Sequence, residues 1–329
     1  MPPFPREAGL HQAPSAVVMV RPHLFRSNPA TLADNSFQCV SAVSSALDAW
    51  RETTAVADAL RGHGVEVHLF EDPTDRTPDS VFPNNWFTTH PDGTVVLYPM
   101  YVANRRLERR DDVVDLLRER YRVRRVVDLA HGAAPGVALE GTGALVLDHV
   151  ARTAYVCRSH RADARLVARF CAELGYEAII FDASDRGEAV YHTNVMMAVG
   201  TTFAVIGAEL IDRADRAAVL QALGESGRDV IVLSRQQIRR FAGNCLELSG
   251  RAGSVLALSA TAEAALTDRQ RARLAEHTTL LPLGVPTIET AGGSVRCMLA
   301  GIHLEPAVVV SPRPFTDGHD RGPGAVEVA

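Results

Sequence analysis

Five residues stand at nearly equal intervals along the chain: Asn85, Glu140, His192, Asn244 and Cys297 are separated by 55, 52, 52 and 53 residues. Each lies just before, or at the start of, an apolar run. A thiol, an imidazole and a carboxylate are among them, the residue types from which a covalent thiol catalyst is assembled. Plainer readings exist for each. A cysteine at a strand start is most often a small buried hydrophobe. Glu140, in LEGTGALV, could be an exposed loop acid, because an unpaired carboxylate is costly to bury. Asn85 and Asn244 could be turn or cap residues. The common interval favours the functional reading, since equivalent strand ends of a repeated unit can meet around one cavity. The glycines of AGGSVRCM also suit close backbone approach of a ligand to Cys297.

The elements that must position these residues recur with the same period. Two short apolar strands around a polar turn are followed by an amphipathic helix and a further apolar strand. The first copy runs from WFTTHPDGTVVLYPM through RRLERRDDVVDLLRER to VVDLA, and the second from GALVLDHVARTAYVC through RADARLVARFCAELG to EAIIFDA. A third spans VMMAVGTTFAVIG to DVIVLS, and a fourth CLELSGRAGSVLALS to LLPLG. The fifth is split: its hairpin, VRCMLAGIHLEPAVVV, is C-terminal, while its helix and the strand VEVHLF are near the N-terminus. Paired strands before every helix argue for a closed array over a doubly wound sheet. The expectation is one α/β domain over residues 14–316, with loose Pro/Gly/Ala-rich tails at 1–13 and 317–329.

Composition narrows the function classes. The 329 residues are 47% hydrophobic and 22% charged, with a net charge of −5, so no basic field is set up for nucleic acid or anionic membrane. Every basic residue apart from histidine is arginine. Schiff-base lysines and a P-loop lysine are thereby excluded. Five cysteines far from any C-x-x-C spacing suggest neither a disulfide framework nor a zinc site, and the N-terminus has no signal-peptide pattern. A cytoplasmic location, no metal, no cofactor and a small-molecule partner are the expectations; the oligomeric state is open.

The stretches VMVRP, NSFQ, PDSVFPNNWFTTH, LEGTGALVLD, YHTNVMM, FAGNCLEL and GGSVRCM together resemble the guanidine-modifying pentein superfamily. Its members include arginine deiminase, dimethylarginine dimethylaminohydrolase and the amidinotransferases. The resemblance is closest to the citrulline-utilisation hydrolase group and runs from residue 18 to residue 300. It implies a five-bladed α/β propeller of ββαβ units, with Cys297 as nucleophile, His192 as general acid and base, and Glu140 as a carboxylate gripping substrate nitrogens. It further implies that Asp79 contacts the substrate and that Arg161, with Arg105 or Arg106, holds an amino-acid carboxylate, a role suited to a bidentate guanidinium. Asn244 joins these as a candidate binding residue.

One departure bears on the substrate. Arginine-acting members carry an acid where this chain has Asn85. A guanidinium is best matched by carboxylates, whereas an amide can serve a neutral ureido group as donor and acceptor. The leading expectation is therefore a cysteine hydrolase converting citrulline to ornithine through a thiol-linked intermediate. The alternatives are hydrolysis of arginine or dimethylarginine, and amidino transfer. A non-catalytic pentein binding protein is disfavoured by the presence of thiol, imidazole and carboxylate together.

Overall fold

Helix and strand boundaries follow local chemistry. In the computed structural model, which describes residues 11–33, 35–38, 45–131, 133–134 and 136–307, the helix Ala164–Leu174 starts where the Asp163 side chain accepts from the Arg165 and Leu166 amides. It buries Leu166, Val167, Phe170 and Leu174, one stripe at helical spacing, and stops at Gly175 in the left-handed region, φ 67°. Ser45 and Asp212 cap the helices Ala46–Gly62 and Arg213–Glu225 in the same way.

Five three-stranded sheets of one topology are found among the described residues, each with its first two strands antiparallel and its second and third parallel. In chain order of their first strands they are Phe87–Thr89, Thr94–Leu97 and Arg125–Asp128; Val146–Asp148, Thr153–Cys157 and Glu177–Phe181; Met197–Val199, Phe203–Ile206 and Asp229–Val232; Leu246–Gly250, Gly253–Ser259 and Thr279–Leu283; and Ala300–Ile302, Ala16–Pro22 and Glu66–Asp72. The helix of each unit supplies the crossover between its parallel strands, as a parallel pair requires. In the fourth unit it is two helices, Ala260–Ala265 and Asp268–Ala275, because Ser259 and Thr267 each cap a fresh start.

The split unit differs from the sequence reading. Its middle strand is Ala16–Pro22, pairing antiparallel with Ala300–Ile302 and parallel with Glu66–Asp72, rather than the C-terminal AVVV run. Residues 308–316, expected inside the domain, lie outside the described residues. Nor does the loose N-terminal tail reach residue 13, because Gln12 is buried and donates to the Leu147 and Val199 carbonyls at 2.9 and 3.0 Å.

The core sits between units. Along Ala16–Pro22, Val17 and Met19 enter the cluster shared with the fourth unit, while Ala16 and Val18 enter the cluster shared with the first. Tyr155 and Cys157 face the third unit; Ala154 and Val156 face the first. Period-two alternation buries both faces of these strands, so they read as continuous apolar runs. First strands also neighbour one another: Ala300–Ile302 lies against Phe87–Thr89, and Met197–Val199 against both Val146–Asp148 and Leu246–Gly250. Residues just ahead of those strands are thereby brought to a common region.

Candidate active site

Four of the five spaced residues sit in a short turn of helix, or cap one, directly ahead of a first strand. Asn85 ends the 3-10 turn Pro83–Asn85, Glu140 precedes Gly141–Ala144, His192 precedes Thr193–Val195, and Cys297 lies in Val295–Met298. Asn244 follows a turn closed by its own amide donating to the Phe241 carbonyl at 2.8 Å. All five are buried.

The Cys297 Sγ receives the Asn244 amide Nδ2 at 3.3 Å and the Asn194 Nδ2 at 3.6 Å. Asn244 is itself fixed by donation to the Asn194 carbonyl at 3.0 Å. Two amide side chains thus converge on the sulfur and fix its position. Behind this, His192 Nε2 meets Glu140 Oε2 at 2.8 Å. Burial lowers the imidazole to about 4 in spite of Glu140, so near neutrality Nε2–H donates to the carboxylate and Nδ1 is left as the base.

Glu140 is wholly buried and also accepts from the Tyr101 amide at 2.9 Å, Arg161 Nη1 at 3.3 Å and Arg105 Nη1 at 3.5 Å. Burial alone would raise its carboxyl, but Arg161, the His192 hydrogen bond and Arg105 hold it well below the usual range. Its oxygens thus have partners within the protein, the His192 imidazole among them, an arrangement that holds the ring in place.

That pocket, about 270 Å³ with its mouth, is lined by Asp79, Asn85, Arg105, Arg161, His192 and Cys297 among others. Asp79 Oδ2 accepts from Asn28 at 2.8 Å and lies 3.6 Å from Arg105, but its Oδ1 is buried without a partner. Burial, only partly opposed by Arg105, Asn28 and Arg161, raises this carboxyl. The Asn85 Nδ2 is likewise buried and unsatisfied. Buried polar groups without partners are rare in proteins, and here both border one cavity.

The arginines divide. Arg105 enters the cluster, where Glu108 grips Nε and Nη2 at 2.9 Å each. Arg106 is exposed and donates to the Met100 and Tyr101 carbonyls at 3.0 and 3.1 Å, outside the site. Arg161 lies over the Tyr191 ring, 5.0 Å from its centroid. Arg105 and Arg161, expected to hold a substrate carboxylate, both border the pocket and also meet the internal acids Glu108 and Glu140. Sequence reasoning missed Asn194, Asn28 and Glu108. The first was within reach, because Asn194 follows His192 by two residues in the quoted YHTNVMM motif.

Of the glycines before Cys297, Gly293 borders the pocket, while Gly292 is required by packing. Gly292, at φ 81°, closes on Asn35, whose side chain would stand 2.4 Å from an added Cβ. Gly143 is as tightly constrained and abuts the site itself, since a Cβ there would lie 2.4 Å from Asn85 Nδ2 and 2.6 Å from the His192 ring. Gly143→Ala should therefore displace both side chains and lower kcat at least about tenfold, as small misplacements of reacting groups do. Steady-state kinetics beside a melting curve tests this; unchanged kcat would show that neither side chain needs its present position.

Residues 21–304 match the model of the eukaryotic N,N-dimethylarginine dimethylhydrolase family. No curated protein matches the chain in sequence. Among solved structures it is similar to the N-terminal domain of ArgZ bound to substrate, an arginine dihydrolase from the ornithine–ammonia cycle in cyanobacteria. The TM-score is 0.71 at 15% identity, over 88% of this chain and 98% of that one. AgrE in complex with ornithine and NAD+ gives 0.71 at 17%, over 89% of this chain but 39% of that one. A dimethylarginine dimethylaminohydrolase adduct with S-methyl-L-thiocitrulline gives 0.62 at 16%, over 87% and 99%. At such identities the likeness is one of fold, the α/β fold of the pentein enzymes. The family match spans most of the chain, and with it this protein belongs to the N,N-dimethylarginine dimethylhydrolase family, hydrolases of carbon–nitrogen bonds within the guanidino-modifying pentein superfamily.

Proposed function

We propose that the protein is a cysteine hydrolase of a free guanidino amino acid, arginine or an N-methylated arginine. We further propose that its five units form the blades of an α/β propeller around the pocket. The observation that carries the reading is the convergence of Cys297, the His192–Glu140 pair and the half-satisfied Asp79 carboxylate on one small cavity. Charge supports a cationic substrate. Arg105 forms a bidentate pair with Glu108 and lies within ion-pair distance of Asp79 and Glu140 as well, so the pocket is bordered by the acid Asp79 with one oxygen open. The cationic head group of a guanidino amino acid gives that oxygen a donor.

In the reaction so framed, Cys297 gives its thiol proton to His192 Nδ1 as its sulfur bonds to the central carbon, and His192 passes that proton to the departing nitrogen, which leaves as ammonia or an alkylamine. The neutral imidazole then takes a proton from water as its oxygen bonds to the same carbon, the C–S bond breaks, and the proton returns to the sulfur. Incubation with arginine, monomethylarginine, dimethylarginine and citrulline, scoring citrulline, ornithine and ammonia, tests the reading. Turnover of none of the three guanidino compounds would refute it.

A second reading, the hydrolysis of citrulline to ornithine, rests on Asn85. Its orphan amide donor suits a ureido oxygen, and a guanidinium has no such acceptor. Asn85→Asp should move the ratio of kcat/KM for arginine over citrulline about tenfold towards arginine, the gain from a neutral to a charge-assisted hydrogen bond. A ratio that stays put would mean that Asn85 does not sense head-group charge.

A further inference from the structure

Cys297 lines the candidate site, but its neighbour Arg296 lines a different cavity, of about 620 Å³ with its mouth. The two share no lining residue. This second cavity lies where the five units meet, for Thr88, Leu147, Ala198, Leu246 and Ala300, one from the first strand of each, border it. None of its lining residues is acidic.

The Arg296 guanidinium donates to the Leu299 carbonyl at 2.8 Å and has no carboxylate within ion-pair distance among the described residues. Beside it, the rings of His149 and His303 stack with centroids 3.9 Å apart. Burial, then the nearby positive groups, lowers His303 to about 4 and His149 well below its ordinary value, while burial lowers Arg296 to about 10. The lining thus holds one fixed cation and two imidazoles that can change charge only by becoming positive. Arg296 is part-buried and no carboxylate among the described residues meets its charge, which an anion in the cavity would do. The described residues hold no group of His, Cys, Asp or Glu arranged for a metal ion, so the histidines do not mark a cation site. Gln12 also borders the cavity, bridging Leu147 and Val199, and its Oε1 accepts from the His149 amide at 2.9 Å.

We propose that this axial cavity binds a small inorganic oxyanion, held by the Arg296 guanidinium together with the His149 and His303 imidazoles. The site is independent of the substrate reading, since none of its residues belongs to the Cys297 pocket.

The test is the melting temperature of the full chain, with calorimetric titration, against inorganic phosphate and bicarbonate, with ionic strength held by sodium gluconate, whose anion is larger. Wild type should show saturable stabilisation with an affinity of about 1 mM or tighter. Arg296→Met should lose it. His303→Gln, which keeps the ring's volume roughly and one donor, should weaken binding by about three- to tenfold and serves if Arg296→Met does not fold. No saturable response in wild type, a response that survives in Arg296→Met, or an unchanged affinity in His303→Gln would each overturn the assignment.

Discussion

Cys297→Ser should lower turnover of the guanidino substrate at least about a thousandfold while leaving the melting temperature within a few degrees of wild type. The contrast between the two readouts is what the geometry dictates. Cys297 is 2% exposed, and serine occupies nearly the same volume, so no cavity opens. Asn194 and Asn244 can donate to a hydroxyl oxygen as they do to sulfur. What is lost is the thiol nucleophile, because a hydroxyl gives up its proton far less readily than a thiol and is the weaker nucleophile. Trapping followed by mass analysis of the quenched enzyme adds a direct check: wild type should carry on Cys297 an adduct of the substrate less its departing ammonia or amine, and the variant none. Activity within tenfold of wild type, with the other cysteines untouched, would place the nucleophile elsewhere. The remaining described cysteines offer poor substitutes, since burial pushes Cys157 and Cys245 up to about 12 and raises Cys171 as well.

How far the sequence could carry these conclusions is seen residue by residue. The spacing of Asn85, Glu140, His192, Asn244 and Cys297 was legible because one unit recurs, and the structure puts all five ahead of first strands. Hydrophobic periodicity located four units because their strands are contiguous in sequence. It misassigned the fifth, since Ala16–Pro22 and the C-terminal AVVV are both apolar runs of strand length and only pairing distinguishes them. Arg105 and Arg106 are adjacent in sequence; which of them is buried depends on the 3-10 turn Asn104–Glu108 and on Glu108 waiting three residues on. The pairing of Glu140 with His192 was hidden for another reason. A carboxylate near a substrate and a carboxylate behind an imidazole need the same residue type, and only the 2.8 Å contact with His192 shows the second. The cavity around Arg296 left no trace in motif or spacing, because its parts come from all five units.

Glu140→Gln should produce the larger combined effect, on both activity and stability. The carboxylate takes the His192 Nε2–H and two guanidinium contacts at once, and the amide can replace neither its charge nor all of its acceptor sites. Stability in water at neutral pH should fall by about 3–5 kcal/mol, the usual cost of leaving buried charge uncompensated. With the imidazole less well held and less basic, kcat should fall about a hundredfold or more beyond any loss from unfolding. The pH dependence separates this electrostatic account from a packing one. Because the folded-state carboxyl is held below its unfolded value, its contribution is fully present above that unfolded value, near 4.3, and is lost as pH falls through the folded one. The stability gap between wild type and variant, followed by urea denaturation, should therefore be constant from neutrality to about pH 5 and narrow below it. His192 adds to the acid sensitivity of wild type: lowered to about 4, it binds a proton more readily in the unfolded chain, so stability also drops as pH falls from 6.5 towards that value. A gap that stays the same width down to pH 3 would mean that Glu140 acts through its shape and not through its charge.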